Sequence, residues 1–165
     1  NGIQKLQEAG CEVVSGILGK ECNHLNRRLN TFHEKQRPYI ILKWAQTADG
    51  YFAPADGTKK WITGTVAQKL VHKWRSEEMA IMVGTNTALV DNPRLDVRKW
   101  KGKAPIRVVL DKNLKLPGNL HLFDESVPTF VFNNQWSADR HGVSFIQIDF
   151  CICHSTASHF QRTSS

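Results

Sequence analysis

An α/β fold is what this sequence predicts, on three observations. Two nearly continuous apolar runs, residues 38–45 and 79–83, have strand length and the composition of strands buried on both faces. Between them Ala67, Leu70, Val71 and Trp74 recur at i, i+3, i+4 and i+7, one apolar stripe of a helix. Three more strand-like runs follow, 106–110, 129–132 and 144–149, joined by short pieces rich in Gly, Pro and Asn. Strand, helix and strand over 38–83 read as a βαβ unit with a right-handed crossover.

The elements are justified in order. Ile3 and Leu6 share a face of a helix that stops at Gly10, and Cys11-Glu12-Val13-Val14 reads as a short strand. Cys22, Leu25 and Leu29 predict one helix over 20–35, ended by Arg37-Pro38 because the residue before proline leaves the helical region. Asp49-Gly50 marks a turn after the first long strand, and 54–60 is a polar loop with a second Asp-Gly. Thr65 and Gln68 have capping-box spacing at the start of the striped helix, which is expected to end near Glu78.

Composition narrows the classes. The chain has 165 residues, of which 41% are apolar, enough for a packed core. No apolar run approaches the ~20 residues needed to span a bilayer, and the polar, amphipathic first residues do not read as a signal peptide. A cytoplasmic location with no membrane partner is the expectation. The net charge of +7 favours anionic partners. Its densest run, Arg98-Lys99-Trp100-Lys101-Gly102-Lys103, reads as a solvated loop, and no nucleic-acid-binding motif surrounds it.

The four cysteines, Cys11, Cys22, Cys151 and Cys153, give neither a disulfide framework nor paired zinc knuckles. Cys151-x-Cys153-His154 lacks a fourth ligand, so no metal site is expected. The scattered histidines, His72 among them, read as surface or satisfied core residues.

Two strand ends pass at once into Gly, Thr, Asn and Asp: Thr47-Ala48-Asp49-Gly50 and Gly84-Thr85-Asn86-Thr87. Such ends are where α/β folds hold phosphorylated ligands. The residues there form a pattern: Arg37-Pro38-Tyr39, Lys43, Thr47, Asp49-Gly50, Trp61-Ile62-Thr63, Arg75, Val83-Gly84, Thr87, Asp91-Asn92-Pro93, Leu95 and Val97-Arg98, followed by Arg107-Val108-Val109-Leu110-Asp111. This resembles the reductase domain of the bifunctional riboflavin-biosynthesis deaminase/reductases, over about residues 1–150. Leu6, Ala9-Gly10, Glu12-Val13, Leu25-Asn26 and Phe32 resemble the end of the zinc deaminase domain that precedes it in that family.

The resemblance implies two segments, and composition sets off a third. Residues 1–35 are a remnant of a cytidine-deaminase-like domain. Residues 36–150 are a partial reductase domain of dihydrofolate-reductase-like fold, a mixed sheet flanked by helices and incomplete at its C-terminus. Residues 151–165 are an aberrant tail, read as following a frame change or cloning scar near residue 150, with an ordinary disordered tail as the alternative. The family's zinc-binding His-x-Glu and Pro-Cys motifs are absent, so deaminase chemistry is not expected.

The activity implied is NADPH-dependent reduction of 5-amino-6-(5-phosphoribosylamino)uracil, whose ribosyl group becomes ribityl. Substrate-binding positions carry over to Arg75, Arg98, Leu95 and Lys59, where the family usually has serine at the last. Cofactor-binding positions carry over to Trp61, Thr87 and Asp91, and to Gln46 and Lys112, which differ in type from the usual small residues. Asp96 replaces a usual threonine. Lys43 is a weak candidate for the acid that protonates the departing ring oxygen.

The family's later Glu-Gly-Gly loop does not occur before residue 150, so weak NADPH binding and little turnover are expected of this chain. Open strand edges would invite association between copies. Two other classes stay open at this stage: a dihydrofolate-reductase-like enzyme with a pterin substrate, and a non-enzymatic basic nucleic-acid-binding domain. The pair Arg75 and Arg98 favours a phosphorylated substrate over a pterin.

Overall fold

The computed structural model describes residues 2–52 and 62–150 and divides the chain into two units, Asn1–Trp44 and Ala45–Ser165. Lys59, Trp61 and the tail 151–165 lie outside the described residues.

The first unit carries α1 (Gly2–Glu8), α2 (Gly19–Leu25) and α3 (Arg27–Lys35). The single helix expected over 20–35 is two, because Asn26 stands between them in a non-helical conformation. Its side-chain amide donates to the carbonyl of Cys22, a local bond that competes with helix continuation. None of the three helices buries a residue. The unit's contacts are local: the guanidiniums of Arg27 and Arg28 stand 5.6 and 5.9 Å from the centre of the Tyr39 ring.

Two expected strands in this region are absent. Residues 11–14 and 38–45 take no regular structure, and Ile40, Leu42 and Trp44 are exposed. An apolar run becomes a buried strand only where neighbours take up its backbone hydrogen bonds, and no described strand pairs with 38–45.

The second unit contains α4 (Thr65–Glu77), β1 (Ala80–Gly84), α5 (Thr85–Asp91), β2 (Ile106–Leu110), a 3-10 turn (His121–Phe123), β3 (Thr129–Asn133) and β4 (Val143–Gln147). The four strands lie in the order β1-β2-β3-β4, each pair parallel. An α/β fold with helices flanking the sheet is therefore present, and the strands described form a parallel sheet.

The register builds the core in rows. Arg107 stands beside Thr129, and Thr129 beside Val143; Val109 stands beside Val131. All five side chains are buried, whereas the alternate residues of β2 and β3 are half-buried. The sheet thus buries one face fully, not both as the apolar runs predicted. Ala88 of α5, Leu95, Leu120 and Leu122 pack on that face.

The start of α4 differs from its predicted cap. Gly64 is the N-cap and Thr65 is already helical, so no hydroxyl caps the helix. The amide of Gln68 instead donates to the carbonyl of Thr63 at 3.3 Å. Leu70 and Trp74 of the apolar stripe remain exposed, and the residue α4 buries is His72. A stripe is covered only where another element lies over it, and the 38–45 run that would complete a βαβ unit takes no place in the sheet.

Candidate functional site

Parallel strands point their carboxyl ends the same way, and ligands of open α/β sheets gather at that edge. Here the edge is held by side chains from successive strand ends. Thr85, first residue of α5, donates its hydroxyl to the carbonyl of Leu110 at 2.8 Å and lies 3.2 Å from the Asp111 carboxylate. The other oxygen of Asp111, a buried side chain, accepts from the Leu116 amide at 2.9 Å. Thus α5 is locked to the end of β2. Its far end turns at Asn92, whose φ of 40° is in the left-handed region that asparagine tolerates. The Asn92 side chain then accepts from the His121 amide at 2.8 Å.

This frame presents Thr87 and Asp91 on exposed positions of α5, on either side of buried Ala88. Lys112 is exposed just past the end of β2, its ammonium 5.9 Å from the centre of the Phe150 ring. A Cβ added at Gly84 would meet nothing within 4 Å, so the end of β1 has open space beside it. A hydroxyl and a carboxylate exposed on α5 and an ammonium just past β2 are donor and acceptor types that suit the ribose hydroxyls and phosphates of a dinucleotide. The residues present therefore fit a nicotinamide dinucleotide cofactor. Gln46 is exposed in the second unit, and Lys43 is exposed in the first.

The basic centre lies between α4 and the loop after α5. Arg75 Nη1 donates to the backbone carbonyl of Asp96 at 3.1 Å. Arg98 forms an ion pair with the Asp96 carboxylate and stays about half-exposed. One residue therefore gathers both arginines, by its backbone and by its side chain. Burial pushes the Arg75 pKa below its ordinary value and the Arg98 charge adds to that, against the pull of Asp96; a guanidinium stays charged nonetheless.

Lys99 bonds to Gln68 of α4, and the Lys73 ammonium stands 5.9 Å from the Trp100 ring, so the basic loop is fastened to the same helix. The run Arg98 to Lys103, expected to be a solvated loop, is indeed exposed. Leu95 is 3% exposed and belongs to the core cluster. Its φ of 53° turns the chain so that Leu95 points inward while Asp96 and Arg98 remain accessible.

The sequence reading named two charged or titratable residues without seeing their place in the interior. Buried Arg107 lies within an otherwise apolar strand; it reaches Asp124 at 2.6 Å, Ser126 at 3.1 Å and the carbonyl of Leu122 at 3.2 Å. The Arg107 hydrogen bond, helped by those from Ser126, holds the Asp124 carboxyl well below the usual carboxylate range. His72 is buried with its Nδ1 unpartnered, so it is not the satisfied core histidine expected. Its place three residues before Arg75 on one helix face was the signal available.

Among the described residues no group of His, Cys, Asp and Glu side chains comes together to hold a metal, and no helix is long and apolar enough to cross a membrane.

The riboflavin biosynthesis protein RibD of Aquifex aeolicus is 40% identical over 136 residues, covering 81% of this chain and 38% of that protein. RibD of Actinobacillus pleuropneumoniae is 44% identical over 116 residues, 70% of this chain and 31% of that protein. The chain thus spans well under half the length of these relatives. Among solved structures, the Thermotoga maritima diaminohydroxyphosphoribosylaminopyrimidine deaminase/5-amino-6-(5-phosphoribosylamino)uracil reductase superposes with a TM-score of 0.84 at 35% identity, covering 93% of this chain and 44% of that one. Acinetobacter baumannii RibD superposes with a TM-score of 0.72 at 30% identity, covering 90% and 44%. The family profile described as the RibD C-terminal domain matches residues 38–158, so the chain belongs to that family.

Proposed function

We propose that this chain is part of an NADPH-dependent reductase of riboflavin biosynthesis, acting in the cytoplasm on 5-amino-6-(5-phosphoribosylamino)uracil and converting its ribosyl group to ribityl. The observation that carries the reading is the convergence of Arg75 and Arg98 on Asp96. Two planar guanidinium forks held together suit the oxygens of one phosphate monoester. A pterin offers no such dianion, which is why the phosphorylated substrate is preferred. Lys59, which replaces a small residue of the family, would add a point charge to the same phosphate.

NADPH supplies the hydride when bound. Thr87, Asp91, Lys112, Gln46 and Trp61 are proposed to hold it, Lys112 by meeting a phosphate and Trp61 by packing against a ring. The work of the chain is then orientation: anchoring the substrate by its phosphate leaves the sugar carbon to be presented at the strand ends. Lys43 is the proposed proton donor to the departing ring oxygen. Residues 1–35 are proposed as the end of a preceding deaminase domain whose zinc ligands this sequence lacks.

Calorimetry of this chain with the phosphoribosylamino substrate and with its dephosphorylated form tests the reading. Binding that requires the phosphate and weakens about tenfold or more in Arg98→Ala is expected. Equal affinity for the two forms would refute it.

A further inference from the structure

Among the described residues Asp111 is the one buried carboxylate, 2% exposed, and it forms no ion pair there. Burying such a group is costly unless hydrogen bonds take up its oxygens, so the groups that do so are informative. One oxygen accepts from the Leu116 amide at 2.9 Å, and the other lies 3.2 Å from the Thr85 hydroxyl. The backbone of Asp111 is used twice more: its amide donates to the Phe132 carbonyl at 2.9 Å, and its carbonyl accepts from the Leu114 amide at 3.0 Å.

Two segments thus meet on one side chain. The first is α5, seven residues long and too short to persist on its own. It packs Ala88 into the core. Thr85 pins its start to Leu110 and Asp111, and Asn92 pins its end to the His121 amide. The second is the turn 111–116, folded onto the core through Leu114 and Leu116. Lys112 lies in that turn, and its carbonyl accepts from the Asn134 amide at 3.0 Å. Thr87 and Asp91 therefore ride on the first segment and Lys112 on the second. An apolar residue at 111 would fill the same space but would leave the Leu116 amide unpaired and α5 with one pin fewer.

We propose that Thr85 and Asp111 are a positioning pair for the cofactor: together they hold α5 and the turn after β2 as one piece, so that Thr87, Asp91 and Lys112 meet a nicotinamide dinucleotide with their spacing already set. This rests on the reading of those three residues as cofactor-binding. The pair acts through them, since Asp111 is buried and the Thr85 hydroxyl is given to Leu110. Its contribution is preorganisation: α5 is ordered when the chain folds, not when the ligand arrives.

The test is calorimetry of this chain with NADPH, with ribose 5-phosphate as the control ligand for the arginine pair. Thr85→Val keeps the side-chain volume and removes the hydroxyl; Thr85→Ser restores it. Asp111→Ala removes both acceptor oxygens. Asp111→Asn keeps an oxygen for the Leu116 amide and offers an N–H to the Thr85 hydroxyl oxygen. We expect Thr85→Val and Asp111→Ala to weaken NADPH binding about tenfold, Thr85→Ser and Asp111→Asn to retain most of the native affinity, and ribose 5-phosphate binding to stay native throughout. Should Asp111→Ala fail to fold, Thr85→Val decides alone, because it leaves the Leu116 bond in place. Unchanged NADPH affinity in Thr85→Val, or no recovery in Thr85→Ser, overturns the role. Equal weakening of both ligands overturns it too, since that marks a general loss of order. Asp91→Ala and Lys112→Ala separate this outcome from failure of the cofactor reading. If the native chain binds NADPH no better than those two variants, the cofactor reading fails and the positioning role falls with it. The Thr85–Asp111 contact would then remain a feature of the fold alone.

Discussion

Arg75 on helix α4 donates to the backbone carbonyl of Asp96, 21 residues later, at 3.1 Å. This bond closes the basic centre, because the Asp96 side chain holds Arg98 at the same time. The backbone half of the arrangement is indifferent to which side chain stands at 96. The side-chain half is not.

Replacing Asp96 by Asn should therefore raise anion affinity. The carbonyl still receives Arg75, while Arg98 loses its internal counter-ion and turns its fork to a ligand. Titration of Asp96→Asn with ribose 5-phosphate should show binding severalfold tighter than the native chain, since an exposed ion pair contributes about 0.2–1 kcal/mol. Weaker binding would mean that the Asp96 carboxylate helps to organise the site instead of competing with the ligand.

Arg107 and Asp124 predict a stability effect. Arg107 is 1% exposed and Asp124 is its anionic partner at 2.6 Å. Asp124→Ala leaves a buried guanidinium without its counter-charge. The cost expected in denaturant unfolding is about 2 kcal/mol, below the ~3–5 kcal/mol of fully buried pairs because Asp124 is itself partly open to water. A loss under about 0.5 kcal/mol would show that Leu122 and Ser126 satisfy Arg107 without it.

Leu95 predicts a division between packing and binding. Its side chain is buried with Val109, Val131 and Leu122, so Leu95→Ala should cost about 2–5 kcal/mol of stability. At a temperature where the variant is still folded, its ribose 5-phosphate affinity should match the native chain. A selective loss of binding with little loss of stability would restore Leu95 to the pocket.

His72 predicts a pH dependence of stability. Its folded pKa lies below the ordinary value of about 6.5, so the unfolded chain takes up the proton first as pH falls. The stabilising contribution is complete above about pH 6.5 and is lost as pH falls below it towards the folded value. Denaturant unfolding at a series of pH values should show that decline in the native chain and a shallower one in His72→Phe. Parallel curves would place His72 in an environment no different from water.

Much of the second unit was legible in the sequence. The runs that became β1, β2, β3 and β4 were readable because strand periodicity and turn residues are local signals. The spacing from Arg75 through Asp91 to Arg98 pointed to the arginine pair, and the structure gathers those two arginines on one residue. The run 38–45 misled for a non-local reason: its apolar residues specify a strand, but only neighbours on both sides make one.

The sequence by itself determined the α/β class, the family and the residue types available at the sheet's carboxyl edge, all of which depend on order and spacing along the chain. The tertiary structure alone decided which face of the sheet is covered, that Leu95 packs inward while Arg98 stays at the surface, and that a carboxylate at 96 occupies one of the two arginines. It also decided that His72 is buried beside them with one nitrogen unpaired. These are matters of burial and of contact between distant residues, where the cost of removing a charge or a polar atom from water is set by what folds over it.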